Sequence, residues 1–215
     1  QIGAGGPPAA KPAGDPAPDT TAGSGWGIHN RRGFSVLSAI FMIDSAIRYA
    51  FLTFLPFLLI AKGAAVDTVG FALALIFAGG AAGKFLCGTL ADRIGIIRTV
   101  VLTELLTGVG IIGLLSLPLD IILVILPALG LALNGTSSVL YGTVSDLVTA
   151  ERQARAFGLF YTLGLGAAAL APLSFGVLSD AAGVPLTLTI VGGMAILIVP
   201  LCPLLSAALA QPEAA

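Results

Sequence analysis

The sequence predicts an all-α membrane protein with six transmembrane helices. Three observations carry that expectation. Hydrophobic residues make up 57% of the chain and charged residues only 10%, where a soluble domain has roughly 25% charged. Mean hydropathy is +1.03. From residue 34 to residue 209 the apolar residues fall into six runs separated by short polar stretches, each run long enough for a span of about 20 residues.

Residues 1–30 are rich in Gly, Pro, Ala, Ser and Thr. They hold too little bulky apolar surface to fold alone and read as a flexible linker. The chain starts with Gln1 and has no charged region before a short apolar core, so it reads as a fragment of a longer protein. Arg31 and Arg32 stand just before the first run. The spans are expected near 34–61, 67–90, 97–117, 120–146, 154–179 and 185–209, forming one bundle over 31–210 with a short tail at 211–215. Short connections make sequential helices antiparallel neighbours.

Orientation follows from the basic residues. Arg31, Arg32, Arg93, Arg98, Arg152 and Arg155 fall on one side, and only Lys62 lies in a loop on the other. Cytoplasmic loops carry the excess of Lys and Arg. Both ends are therefore expected in the cytoplasm, on a multi-pass protein of the inner or plasma membrane with the lipid bilayer as its solvent.

Several functions are set aside. A net charge of −1 offers no basic field for nucleic acid. The single His29 and the two cysteines, Cys87 and Cys202, have no metal-ligand spacing, and both cysteines lie in apolar runs, against a disulfide framework. No metal and no cofactor is expected. The spacing of GVGIIG at 108–113 is that of a dinucleotide loop, but it lies inside a span and follows no strand. Glycines there, and Gly79 and Gly83, read as helix-packing positions. Asn134-Gly135-Thr136 is a glycosylation sequon buried mid-span. With His29 in the linker, no nucleophile and base are set up for catalysis, so the chain is read as not an enzyme.

The most informative polar stretch is GTLADRIGIIR at 88–98, with Gly88, Asp92, Arg93, Gly95 and Arg98. Asp and Arg are costly inside hydrocarbon, so the stretch is expected to be a loop at a membrane surface. Its Gly-x-x-x-Asp-Arg-x-Gly spacing, two apolar runs before it and four after it resemble the signature loop of the major facilitator superfamily and its setting. The resemblance covers roughly residues 31–209. It implies the C-terminal six-helix half of such a transporter, built as a three-plus-three inverted repeat, with a missing N-terminal half as partner. A repeat is also visible in the residues: GVLSDAAG at 176–183 echoes GTLADRIG at 88–95, and the charge count puts the two on opposite faces. In the family the loop is a cytoplasmic gate latch. Asp92 would face the start of the fifth helix, near Arg152 to Phe157, where a helix N-terminus favours a carboxylate. Ile96 and Ile97 stand where the family has consecutive basic residues, which implies a weaker latch. Gly164, Gly166, Pro172 and Gly176 in span five only loosely resemble the Gly/Pro motif of proton-coupled antiporters.

Four charged residues fall within spans: Asp44, Arg48, Lys84 and Glu104. Such residues are functional-site candidates, each needing a partner. Distances from the loop centres put Asp44, Lys84 and Glu104 at about the same depth. Lys84 is therefore expected close to Glu104, Asp44 or both. Lys84 with Glu104 reads as a structural pair or as part of a site; both stay open. Asp44 and Arg48, four apart, share a helix face. The family resemblance implies that spans one and four line the central cavity, which favours a functional Asp44 and Arg48. Span four adds Asn134, Ser138 and Tyr141 on one face. Tyr161 of span five is expected level with Tyr141, as a packed aromatic pair or as part of the same path. The expected substrate and proton pathway is thus Asp44, Arg48, Lys84, Asn134, Ser138, Tyr141 and Tyr161, with Glu104 as a buried charge partner.

The function this implies is secondary active transport of a small molecule by alternating access. Proton-coupled efflux by antiport is the first reading, because Asp44 beside Arg48 could titrate as substrate binds. The alternative is uptake of a small, monocarboxylate-like organic anion held by Arg48 and Lys84. A third reading is a transporter-like scaffold or sensor that carries nothing.

Overall fold

The computed structural model describes residues 26–210, and expectations for residues 1–25 and 211–215 lie outside them. Six stretches among the described residues are long and apolar enough to cross a membrane. They are α1 (Arg31–Ala61), α2 (Val66–Ile94), α3 (Ile96–Leu114), α4 (Leu119–Val144), α5 (Gln153–Ala182) and a last span made of α6 (Val184–Ile198) and α7 (Cys202–Leu209). The last span is not one continuous helix. Val199–Leu201 form a 3₁₀ turn, at a place where Pro200 and Pro203 each lack the N–H that an α-helical ladder needs. Pro56, Pro127 and Pro172 stay inside helices, which membrane helices tolerate.

The stretch 88–98 differs from expectation. It is not a loop: α2 continues to Ile94, α3 starts at Ile96, and Gly95 alone separates them. Nothing from Gly88 to Ile94 stops a helix. At 29 residues, α2 runs about 44 Å at 1.5 Å per residue, against about 30 Å of hydrocarbon. Its last turn can thus carry Asp92 and Arg93 into water while still helical; both are exposed. The chain turns at Gly95 because its φ is positive, a region open to glycine at no steric cost.

Packing pairs the helices in a regular way. α2 lies chiefly on α4, α5 on α1, and α3 on α6. Exchanging the first three helices for the last three maps each pairing onto another or onto itself, as a three-plus-three repeat requires. α1 and α4 are the most buried spans, α2 and α5 the least. Small residues set the closest approach. A side chain at Gly79 would run into the Pro127 carbonyl, at Gly83 into that of Leu131, and at Gly130 into that of Ile76. Gly108, from the GVGIIG stretch, meets the backbone of Gly192 between α3 and α6 in the same manner. Without a hydrophobic force between helices in lipid, such backbone contact is a main source of association.

At one end, residues 26–30 are held to the α4–α5 connection. Ile28 pairs with Val148 in a single antiparallel bridge. The Thr149 N–H donates to Gly27 O at 2.8 Å and the His29 N–H to Leu147 O at 3.2 Å. Asn30 caps α1, its Oδ1 accepting from the Gly33 N–H at 2.8 Å, while its Nδ2 donates to Ala208 O at 2.6 Å. At the other end, Lys62 donates to the carbonyls of Leu115 and Leu117 at 2.9 and 2.7 Å, satisfying acceptors that the end of α3 leaves open.

Candidate functional site

A cavity of about 630 Å³ opens between α1, α2, α4 and α5. Six of the sequence-predicted pathway residues line it: Arg48, Lys84, Asn134, Ser138, Tyr141 and Tyr161. Each comes from a helical face that the packing turns inward. On α4, Asn134, Ser138 and Tyr141 follow the i, i+4, i+7 stripe. On α2, Gly80 and Gly83 lie against α4, and Lys84, one residue on and about 100° further round the helix, points to the opening.

Asp44 does not line the cavity. It stands behind Arg48, only 3% exposed, and its Oδ2 accepts from Arg48 Nη2 at 2.7 Å. Arg48 Nη1 reaches Ser137 Oγ at 3.4 Å, and the Ser137 hydroxyl itself donates to Asn134 O at 2.9 Å. The guanidinium therefore spans from a buried carboxylate to the cavity wall. Its Nε is buried without a hydrogen-bond partner among the described residues.

Glu104 of α3 is 1% exposed and its carboxyl meets that of Asp44 within hydrogen-bonding reach. The Thr136 hydroxyl, which donates to Thr103 Oγ1 at 2.7 Å, reaches the same Glu104 carboxyl. Glu104 Oε2 is buried and has no hydrogen-bond partner among the described residues.

The expected closeness of Lys84 to Glu104 or Asp44 is corrected here. The one ion pair among the described residues is Arg48 with Asp44, and Lys84 is exposed at the cavity instead. Matching depth was right for Asp44 and Glu104, which meet. It failed for Lys84 because depth fixes a position along a helix and not the direction around it.

The two tyrosines meet as expected. Tyr141 and Tyr161 are stacked with centroids 5.9 Å apart, and Tyr141 continues edge-on to Phe41 and Phe160, which stack on each other at 4.3 Å. One side of the cavity is thus an aromatic wall. Sequence reading missed Ser45, Tyr49, Ser137, Phe41 and Phe77 in the lining. Ser45 and Tyr49 flank Arg48 at i−3 and i+1, and Ser137 is i+3 from Asn134, so helical spacing from the chosen residues was the available signal.

Asp92, Arg93 and Arg98 are all exposed, and among the described residues none joins an ion pair. Gly88 and Gly95 have open space where a side chain would stand. Cys87 and Cys202 are buried and free.

The family model described as Major Facilitator Superfamily matches residues 37–214 of the chain. No curated protein sequence matches it.

Proposed function

The chain belongs to the major facilitator superfamily, whose members move small solutes by secondary transport, and on that premise we propose that its solute is a small organic anion. The single observation that carries this is the lining of the cavity. Among the described residues two cations, Arg48 and Lys84, face it and no carboxylate does. A bound anion would take hydrogen bonds from Arg48, which favours planar carboxylates. Asn134 and the hydroxyls of Ser45 and Ser138 offer further donors, and the Tyr141–Tyr161 wall suits an apolar or aromatic body. The volume falls within the usual range for small-molecule sites. Of the two transport readings taken from the sequence, this lining favours the anion over efflux of an unspecified solute.

The cavity is half of a binding chamber in this reading. Exposed apolar side chains such as Phe77 and Phe85 on α2 and Leu165 and Leu173 on α5 suit cover by lipid and by a complementary six-helix half. Alternating access then consists of rocking one half against the other around a central site. The test is counterflow in proteoliposomes of the full-length transporter. Small carboxylates should drive exchange, and Arg48→Ala should abolish it. Exchange driven by neutral or cationic solutes and not by carboxylates would overturn the proposal.

A further inference from the structure

Two grooves open at the Arg31 end of the bundle, away from the solute cavity. The first, of about 770 Å³, lies between α1, α5 and the stretch 26–29. The second, of about 470 Å³, lies between α1 and α7. Neither shares a lining residue with the cavity. They flank one exposed ridge of α1, and both are bordered by Arg31 and Ser35, neighbours four apart on one helix face.

Each groove is cationic at its mouth and apolar further in. His29 and Arg31 stand at the first mouth, Arg31 and Arg32 at the second, and among the described residues no carboxylate lines either groove. Neither arginine makes an ion pair among the described residues. Both belong to the first turn of α1, where the helix N-terminus adds to the attraction for an anion. Trp26, half-exposed at the edge of the first groove, is a residue type that favours headgroup depth. The inner walls are Met42 and Leu163 in the first groove and Leu204 in the second. Met42 lies about 16 Å along α1 from Arg31, about half the hydrocarbon thickness. One polar atom sits among these apolar walls. Ser38 lines the first groove and is 5% exposed, and its Oγ is buried without a hydrogen-bond partner among the described residues. An unpaired buried hydroxyl is costly, and an acceptor on a ligand in the groove would satisfy it.

We propose that the two grooves together hold one anionic, two-chain phospholipid of the adjoining leaflet. Its phosphate accepts hydrogen bonds from Arg31, Arg32 and the Ser35 hydroxyl. One acyl chain lies in each groove, astride the ridge. Ser38, about 4.5 Å further along α1 than Ser35, donates to an ester carbonyl of the chain in the first groove. Three features select this occupant. Unpaired cations between membrane helices select an anionic headgroup. Two apolar grooves meeting at one cationic mouth select two chains. Ser38 selects an acceptor beneath the headgroup, which neither a free phosphate nor a bare hydrocarbon supplies. The lipid ties α1 to α5 on one side and to α7 on the other, and it does not touch the solute.

The experiment measures lipid binding to delipidated full-length transporter in detergent by native mass spectrometry, with thermal unfolding alongside. Phosphatidylglycerol should bind about tenfold more tightly than phosphatidylcholine of the same chains and raise the unfolding midpoint. Its single-chain lyso form should bind more weakly, and glycerol 3-phosphate, the headgroup alone, should give no protection. Arg31→Gln with Arg32→Gln should abolish the preference for phosphatidylglycerol and keep the lipid-free midpoint. Ser38→Ala should weaken binding of both lipids about fivefold. Ala39→Trp fills the first groove with every charge in place and should also lose binding. Equal binding of the two lipids by the wild type would overturn the site. So would a preference that survives both the arginine variant and Ala39→Trp. Protection by glycerol 3-phosphate equal to that by phosphatidylglycerol would make this a soluble-anion site and overturn the lipid. No binding of phosphatidylglycerol would leave the grooves to the chain ahead of Trp26 or to a complementary six-helix half, and overturn the proposal equally.

Discussion

Gly95 and Gly183 adopt the same backbone conformation at two different helix junctions: φ 93° with ψ 152° in the first, φ 85° with ψ 158° in the second. The likeness extends to their neighbours. Each glycine N–H donates to the carbonyl four residues back, Ala91 O at 2.9 Å and Ser179 O at 2.8 Å. Each glycine carbonyl accepts a threonine hydroxyl four residues on, from Thr99 at 3.0 Å and Thr187 at 3.0 Å. The echo between GTLADRIG and GVLSDAAG is thus a repeated piece of geometry, and the helix pairings carry it through the bundle.

That repeat makes a topological prediction. Asp92 and Asp180 hold equivalent places, three residues before each glycine, and both are exposed. Cys87 and Cys202 are buried and give a quiet background. Asp92→Cys should react with a membrane-impermeant maleimide from the cytoplasmic side and Asp180→Cys from the opposite one. Labelling of both from one side would sink the inverted arrangement.

The α2–α4 contact should be the most sensitive packing surface. Gly83→Val forces a side chain onto the Leu131 backbone, and overpacking of this kind costs about 1–3 kcal/mol. Gly88→Ala meets open space and should stay within about 0.5 kcal/mol of the parent. Thermal unfolding in detergent separates the two; equal midpoints would remove Gly83 from the contact.

Lys84→Ala should weaken the half-saturating concentration of the anion about tenfold, equivalent to about 1.4 kcal/mol. Protein level and thermal stability should hold, because no buried acid loses its partner. A fall in stability that Glu104→Gln then repairs would restore the ion pair expected from depth alone.

Much of this arrangement was legible in the residues. Composition gave six spans, because hydrocarbon admits little else than apolar helices of that length. The polar stripe on α4 was legible because helical spacing alone brings Asn134, Ser138 and Tyr141 to one face. The end of α2 was not. Polar side chains there report that the chain has reached water, and a helix passes that boundary unchanged until a residue such as Gly95 stops it. The direction in which Lys84 points was not legible either. Side chains at equal depth meet only if both helices are turned toward each other, and the turn of α2 is set by Gly79 and Gly83 against α4, a contact visible only once the helices are assembled.

Asn30 has a mechanical consequence. One amide side chain grips the first turn of α1 through Gly33 and the last turn of α7 through Ala208. The stretch just before it is clipped to the α4–α5 connection. A pull on the backbone ahead of Trp26 is therefore shared among three helices at one membrane face and does not peel α1 away alone. Residues 27–30 thus tie the start of α1, the end of α7 and the α4–α5 connection together at one end of the bundle.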